Sequence, residues 1–296
     1  PWALDFPHLM LRGKAIAYQE KNKSLKQRAR DSALTSTDSL GKLMKLPLVD
    51  ITYEAISKSP KARKIASKIT GVHEEAPWPN FEKSVKTYIP KSIENVTATD
   101  KTTGKVALFT GCYCRNNDAE LANDLLKVFE HNNIETRVIL DDKCCGMPKL
   151  DLGDLKSVEN LMKHNVPKLL QEIDEGFDII SLVPSCVLMF KQELPLLFDE
   201  NDDLKKIKQH IFDPFEYLSD RESKGLMNKS FKNSLGKIAY QVACHQRVQN
   251  IGPKTKELLE MVPDTEVQAI ERCSGHDGTY AVREETHKNS VKIARP

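Results

Sequence analysis

Short apolar runs alternate with amphipathic segments along the chain from residue 105 onward. Residues 105–110, 136–140 and 178–184 are rich in β-branched and other apolar side chains, which predicts buried strands. Residues 117–131 and 157–173 carry apolar side chains at helical spacing. The order strand, helix, strand, helix, strand predicts an α/β parallel sheet with right-handed crossovers.

This pattern recurs further along the chain. Residues 105–112 align with 237–244, and residues 137–146 align with 266–275, with a predicted helix at 252–262 between the second pair. The fold class predicted is therefore α/β, with two tandem βαβ (Rossmann-like) repeats and parallel sheets, preceded by a mainly helical N-terminal segment. The predicted domains are a lead-in at 1–104, a first repeat at 105–225 and an incomplete second repeat at 226–296.

The first 104 residues differ from the rest in charge and pattern. They hold 18 Lys and Arg against 11 Asp and Glu, a balance of +7, whereas the remainder carries −5. Helical patches at 24–46 and 59–72 are separated by Pro-rich stretches at 76–81 and 88–92. We interpret this lead-in as a segment that wraps another domain or docks on a partner, with a merely solvated basic face as the alternative.

The composition excludes several classes of protein. The 44 Lys and Arg nearly balance the 42 Asp and Glu over 296 residues, so nucleic-acid binding is not expected. The most apolar stretch, residues 177–190, is too short for a membrane span and contains Asp and Pro. The first residues do not fit a secretory signal peptide. We therefore expect a cytoplasmic protein.

Seven cysteines carry the candidate chemistry, and all lie beyond residue 111: Cys112, Cys114, Cys144, Cys145, Cys186, Cys244 and Cys273. An odd number of clustered cysteines in a chain without an export signal indicates metal ligands or redox groups rather than a disulfide framework. Because loops at the carboxyl ends of parallel strands converge, four of these thiols should meet in one crevice. Packed thiolates repel one another unless a cation or cluster compensates their charge.

Two of these thiols are adjacent in the chain, at Cys144 and Cys145. A tetrahedral zinc usually takes cysteine pairs two to four residues apart, whereas adjacent sulfurs suit a cluster in which each reaches a different iron. The spacing matches neither compact ferredoxin pattern. Gly146 follows the pair, where a missing side chain lets backbone N–H groups approach sulfur.

The motifs GCYC (111–114), CCGMP (144–148) and PSC (184–186) together resemble the cysteine-rich CCG domain. That domain occurs in the B subunit of heterodisulfide reductase, the C subunit of anaerobic glycerol-3-phosphate dehydrogenase and lactate-utilisation iron–sulfur proteins. ACHQR (243–247) and CSGHDGTYAV (273–282) look like a second copy. The lead-in resembles the segment that follows a ferredoxin domain in the glycerol-dehydrogenase-like members.

The resemblance implies an iron–sulfur electron-transfer subunit or component of an oxidoreductase, with a [4Fe–4S] cluster or the non-cubane form of heterodisulfide reductases. It also implies a redox partner protein or dehydrogenase subunit, a ferredoxin-type module and peripheral docking on the inner face of the membrane. No catalytic residue is assigned. The implied metal ligands are Cys112, Cys144, Cys145, Cys186, Cys244 and Cys273, and the implied cofactor-binding residues are Gly146, His245, Gly275 and His276.

Three departures from the full motif distinguish this chain. Met189 stands where a second Cys would follow Cys186, Ser274 replaces the second Cys of the second pair, and a counterpart of Cys186 would fall beyond residue 296. The second half therefore either lends its two thiols to a shared site or has lost its own site. Cys114 is expected to be a bystander, although it could stand in for the thiol missing at Met189.

Other readings of the same residues remain open. A zinc-bound or metal-free scaffold that docks a partner is the main alternative to a redox protein. Disulfide exchange at the adjacent pair would need a strained eight-membered ring. Cys186 could be an inert core thiol, since unpaired Cys is often buried. A Cys273–His276 hydrolase dyad would leave five other cysteines unexplained.

Overall fold

The computed structural model describes residues 5–20, 23–82, 93, 95–199, 201–276 and 278–295. The chain divides into two compact units. One contains residues 1–83, 146–162 and 273–296, and the other contains 84–145 and 163–272. Each unit combines segments that are distant in sequence. The predicted boundaries after residues 104 and 225 follow chain order and stay a prediction.

Helices make up most of the described elements. In chain order they are α1 Phe6–Gln19, α2 Leu25–Thr35, α3 Thr37–Met44, α4 Pro47–Lys58, α5 Pro60–Thr70, α6 Gly111–Asn116, α7 Ala119–His131, α8 Met147–Leu152, α9 Leu155–Asp174, α10 Pro184–Leu188, α11 Leu194–Leu197, α12 Asp202–His210, α13 Pro214–Ser223, α14 Cys244–Arg247, α15 Gly252–Glu260 and α16 His287–Ala294. A π-helical turn spans Met189–Glu193, and a 3₁₀ turn spans Tyr280–Val282.

Within the described residues, six short strands form two parallel sheets. The strands are β1 Lys105–Leu108, β2 Glu135–Val138, β3 Asp178–Ile180, β4 Ile211–Phe212, β5 Gly236–Gln241 and β6 Thr265–Ile270. The first sheet has the order β2-β1-β3-β4, and the second pairs β5 with β6. Val106 pairs with Thr136 on one side and with Asp178 on the other. The predicted α/β class with parallel sheets is confirmed.

The core of the second unit lies against the first sheet. Strand β1 buries Val106 and Leu108, and helix α7 packs Leu126 and Phe129 in the same cluster. Helix α7 begins where the Asp118 side chain accepts the Leu121 N–H, which satisfies one of the unpaired donors of the first turn. Helix α7 therefore covers the sheet with its apolar stripe, as its spacing predicts.

The N-terminal segment is helical in the described residues, as predicted. Helix α2 begins with a capping box between Ser24 and Gln27, and α5 ends at Gly71 in the left-handed conformation. The buried guanidinium of Arg30 donates to the Gly71 carbonyl and to both carboxylate oxygens of Glu285. This contact holds the N-terminal helices to the end of the chain within one compact unit. The predicted Pro-rich stretch at 88–92 lies outside the described residues.

The structure differs from the predicted pattern at the third strand. Strand β3 ends at Ile180, and Pro184 opens helix α10 instead of ending the strand. Proline at the first helical position costs no hydrogen bond, because the N–H it lacks would have no partner there. Cys186 therefore lies within a short helix, and the direction of its side chain is fixed by that helix.

Candidate metal centre

Four cysteines follow three neighbouring strands of the first sheet. Cys112 lies in α6 after β1, Cys144 and Cys145 lie in the loop after β2, and Cys186 lies in α10 after β3. Strand β1 is central among the three, so these loops leave the same edge of the sheet on either side of it. This is the crevice in which parallel sheets commonly bind ligands.

The sulfur atoms meet at this edge. The Sγ atoms of Cys112 and Cys144 are 3.6 Å apart. The thiols of Cys144 and Cys186 lie close enough to that of Cys145 to raise its pKa. A side chain added at Gly111 would reach ordinary contact with Cys186 Sγ, at 3.5 Å. The structure therefore brings together all four first-repeat thiols named from the sequence.

Most of this sulfur is shielded from water. Cys144, Cys145 and Cys186 are buried, and Cys112 is half-buried. The pKa of Cys145 lies well above its usual range, because hydrogen bonding of its S–H to the neighbouring sulfurs and burial both favour its protonated form. A second negative sulfur is thus disfavoured beside the first.

A buried carboxylate fixes the loop that carries Cys112. Asp142 accepts hydrogen bonds from the Gly111 N–H at 2.7 Å and from the Thr110 hydroxyl at 3.0 Å. Arg115 pairs with the same carboxylate at 2.5 Å. Since Asp142 stands two residues before Cys144, this cluster ties the loops of two candidate ligands together.

A buried amide fixes the adjacent pair. The Asn165 side chain accepts the Lys143 N–H at 2.9 Å and donates to the Cys144 carbonyl at 3.1 Å. Asn165 is 1% exposed. The Lys143 N–H and the Cys144 carbonyl lie in a loop outside the sheet, so the Asn165 side chain supplies the hydrogen-bond partners that a neighbouring strand would otherwise give. In the sequence, the position of Asp142 close to the cysteine pair is a weak indication of its role. Asn165 lies in the middle of a long helix, where nothing in the sequence indicates a role at the site.

Two residues of the predicted second repeat, His245 and Gln249, contact the start of helix α10, which carries Cys186. His245 Nδ1 lies 2.8 Å from the hydroxyl oxygen of Ser185, next to Cys186. The Gln249 amide donates to the Pro184 carbonyl at 3.3 Å. These contacts place His245 beside the residues that carry Cys186. Cys244, which precedes His245, is exposed.

The remaining residues named from the sequence belong to the other compact unit. Gly146 has a positive φ of 101° at the start of α8, a conformation that glycine tolerates best. Cys273 is exposed, and its sulfur accepts the Gly275 N–H at 3.4 Å. His276 is exposed. The roles of Gly146, Cys273, Gly275 and His276 stay predictions.

Cys114 and Met189 are core residues. Cys114 is 1% exposed and packs in the hydrophobic cluster with Leu126 and Phe129. Burial first, and then the nearby Cys186, raises its pKa to about 12. Met189 is fully buried in the π-helical turn after α10. An apolar setting of this kind suits an inert thiol better than a thiolate ligand.

An all-sulfur, largely buried donor set selects soft metals. Thiolates suit zinc, copper(I) and iron–sulfur clusters, whereas magnesium and calcium take oxygen ligands. None of the seven cysteines, all within the described residues, forms a disulfide. The four thiols therefore fit a metal centre by type, number and position.

Comparison with known proteins adds an independent observation. Residues 106–191 match the CCG cysteine-rich domain. The matched segment contains all four thiols at the sheet edge. It confirms the resemblance predicted from the motifs.

Three relatives illustrate the wider similarity. The chain is 24% identical over 269 residues to the C subunit of the anaerobic glycerol-3-phosphate dehydrogenase of Escherichia coli K12, covering 90% of this chain and 66% of the relative. It is 26% identical over 176 residues to an uncharacterized iron–sulfur protein of Methanocaldococcus jannaschii, covering 59% and 32%. It is 25% identical over 184 residues to lactate utilization protein A of Bacillus licheniformis, covering 60% and 75%.

The chain spans just under two thirds of the length of the E. coli relative. Among the helices in the described parts of the chain, none has both the length and the apolar character needed to span a bilayer.

Proposed function

We propose that this chain is an iron–sulfur cluster-binding, electron-transfer component of an oxidoreductase. The observation that carries the proposal is the meeting of four thiols from three loops at one edge of a parallel sheet. The relatives support the functional class, since one is named an iron–sulfur protein and another is a dehydrogenase subunit.

The proposed ligands are Cys112, Cys144, Cys145 and Cys186. A bound cluster supplies one-electron chemistry, and its iron offsets the charge of the thiolates. The chain holds the sulfurs in place through Asp142 and Asn165 and keeps water from most of them. Burial and hydrogen bonding are the means by which a protein sets a cluster's potential.

We assign the cluster as [4Fe–4S], with a non-cubane form as the alternative. Adjacent ligands at 144 and 145 support a multi-iron centre, because two neighbouring sulfurs can bind different irons. Cys244 and Cys273 are proposed as further ligands, with Gly146, His245, Gly275 and His276 as cofactor-binding residues. Of these, His245 has the strongest support, because it contacts Ser185 beside Cys186.

The proposed partners are a redox protein or dehydrogenase subunit and a ferredoxin-type module. The E. coli relative is itself a dehydrogenase subunit. We place the chain in the cytoplasm, with peripheral docking on the inner face of the membrane through its +7 lead-in. Such docking to anionic vesicles should be released by high salt, because the attraction is screened.

One distance favours a second candidate, a structural zinc site. Zinc–sulfur bonds of about 2.3 Å in a tetrahedron separate the sulfurs by about 3.8 Å. The Cys112 and Cys144 sulfurs are 3.6 Å apart, close to that value. A cluster needs these sulfurs further apart, since each binds a different iron. The adjacent cysteine pair and the iron–sulfur relative weigh against zinc.

Iron and sulfide quantitation after anaerobic reconstitution tests the proposal. We expect iron and acid-labile sulfide in near-equal amounts, with broad thiolate-to-iron absorption at roughly 400 nm. Cys145→Ser should lose most of the iron. Protein that takes up zinc but no iron, and stays colourless, would overturn the proposal and leave the zinc scaffold.

Two matched variants make the result specific. Cys114→Ala removes a buried thiol outside the proposed ligand set, so its iron content should equal that of the wild type. Cys273→Ser removes an exposed thiol of the other compact unit. Loss of iron in both Cys145→Ser and Cys273→Ser would indicate one centre shared by the two halves of the chain.

A further inference from the structure

A second group of metal-ligand side chains lies in the compact unit that contains the N-terminal helices. His73, Glu75 and His287 each offer one ligand atom, and these atoms all lie within 4.8 Å of one another. The group contains no cysteine and plays no part in the proposed cluster site. Two imidazoles and a carboxylate form a donor set that zinc commonly takes.

The backbone holds the two contributing segments side by side. Val72 and Arg283 form an antiparallel bridge. The His73 N–H donates to the Val282 carbonyl, and the Glu284 N–H donates to the Gly71 carbonyl, both at 2.9 Å. These two hydrogen bonds, which make up the bridge, align residues far apart in sequence. The ligand atoms therefore stand on a paired scaffold rather than on independent loops.

One ring nitrogen of His287 is held by the backbone. It is 7% exposed, and its Nδ1 lies 2.7 Å from the Ala281 carbonyl oxygen. A carbonyl only accepts, so Nδ1 carries the proton and Nε2 keeps its lone pair. Metal-binding histidines commonly donate their other ring N–H to a carbonyl in this way.

His73 and Glu75 supply the other two ligand atoms. The His73 ring stacks on that of His287 with centroids 4.1 Å apart. Its Nδ1 accepts the Glu75 N–H at 3.2 Å. Metal binding through this Nδ1 gives up a long hydrogen bond at a half-buried residue, and the stacked rings must tilt so that their lone pairs converge on one ion. Glu75 is exposed, so its carboxylate can rotate toward the imidazoles.

Two arginines beside these segments contact acids, and a third, Arg63, donates to the carbonyls of Glu74 and Ala76. Arg30 binds Asp31 and Glu285, and the guanidinium of Arg283 lies 3.5 Å from Asp31. Asp31, which Lys23 also contacts, and Glu285 therefore offset part of this positive charge. The carboxylate of Glu75 supplies the negative charge that a divalent ion needs beside two neutral imidazoles.

We propose that His73, Glu75 and His287 bind one Zn²⁺ ion, which links residues 71–75 to residues 281–287. Tetrahedral zinc with ligands at about 2.0–2.1 Å holds them about 3.3 Å apart, so the group contracts on binding. Three protein ligands leave a fourth position for water. The site is independent of the proposed iron–sulfur function.

Zinc K-edge X-ray absorption on the cluster-reconstituted full chain tests this site directly. We expect one zinc per chain with only nitrogen and oxygen neighbours, at about 2.0–2.1 Å. Zinc held by the cysteines would instead show sulfur at about 2.3 Å. A sulfur shell alone, or no zinc retained on dialysis, would overturn the proposal. Iron measured on the same samples reports the cluster site separately.

Variants at the two more accessible ligands identify the residues. His73→Asn and Glu75→Gln should each weaken zinc binding at least tenfold in competition with a chromogenic chelator. Glu74→Gln changes the neighbouring exposed acid outside the group and should bind zinc as the wild type does. Both ligand variants retaining wild-type affinity would refute the assignment. His287→Asn is avoided as the sole test, because His287 is buried and also supports the fold.

Discussion

Asp142 links the segment that carries Cys112 to the loop that carries Cys144. Its side chain is 4% exposed and accepts from Gly111, Thr110 and Arg115. Asp142→Ala removes every one of these acceptors at once. The Gly111 N–H and the Thr110 hydroxyl then lose their partner in a region with little access to water, and the loop of Cys112 loses its anchor to the loop of Cys144.

The expected cost follows from these contacts. Hydrogen bonds to a charged group contribute about 1.5–3 kcal/mol each, and breaking a buried ion pair costs about 3–5 kcal/mol. Arg115 is partly exposed and regains water, which offsets part of the loss. We therefore expect Asp142→Ala to lower the free energy of unfolding by about 3 kcal/mol, roughly a hundredfold in the folded-to-unfolded ratio.

The assay is urea unfolding of the full chain, with iron content after reconstitution as a second readout. The matched control is Asp141→Asn, because Asp141 has a φ of 54°, a left-handed conformation that asparagine tolerates better than alanine. Asp141 is the preceding residue, but its side chain is 75% exposed and contacts His164 and Lys168 at the surface. The control should change the unfolding midpoint little and keep its iron. Equal stability and equal iron content in the two variants would refute the anchoring role of Asp142.

Three further predictions concern the packing and titration of single positions. Cys114→Ala should lower stability by about 1–2 kcal/mol in urea unfolding, because it leaves a small cavity. Gly275→Ala places a methyl group 2.2 Å from the Ser290 carbonyl oxygen, at a φ of +70°. We therefore expect it to lower the free energy of unfolding by about 2–3 kcal/mol in the same assay. In the control Gly13→Ala, the new methyl group meets no atom within 4 Å, so the free energy of unfolding should rise by about 1 kcal/mol. Burial raises the pKa of Asp178 above 3.8. The contribution of its protonated carboxyl to stability is therefore full below that pH and is lost as the pH rises through the raised value. Over this pH range the free energy of unfolding should fall more in the wild type than in Asp178→Asn.

Each of these predictions has a result that would contradict it. Loss of iron in Cys114→Ala would make that thiol a ligand rather than a core residue. A Gly275→Ala protein as stable as the wild type would mean that the Ser290 backbone can move away from the new methyl group without lowering the free energy of unfolding. Parallel pH profiles for the wild type and Asp178→Asn would show that the carboxyl titrates alike in the folded and unfolded chain.

The sequence predicted the sheet and the thiol crevice because both follow from local pattern and topology. Apolar runs located β1, β2 and β3, and the carboxyl ends of parallel strands converge whatever their sequence. Cysteines placed after those strands therefore had to approach one another. The burial of Cys114 was not predicted, because it depends on the packing of α6 against α7.

Contacts between distant segments were beyond the sequence pattern. Nothing in helical periodicity indicates that Asn165 faces the Cys144 loop or that Asp142 receives the Gly111 N–H. His73 and His287 stack although they lie far apart in the chain. Such pairings depend on tertiary packing of several helices, which amphipathic spacing does not specify.

The central claim is that four converging thiols hold a multi-iron cluster. Iron K-edge X-ray absorption on the anaerobically reconstituted full chain tests it most directly, because it reports both the ligand type and neighbouring metals. We predict a sulfur shell together with an iron–iron scattering shell, and loss of both in Cys145→Ser. Iron surrounded only by oxygen and nitrogen, or a sulfur shell without any iron–iron scattering, would contradict the account.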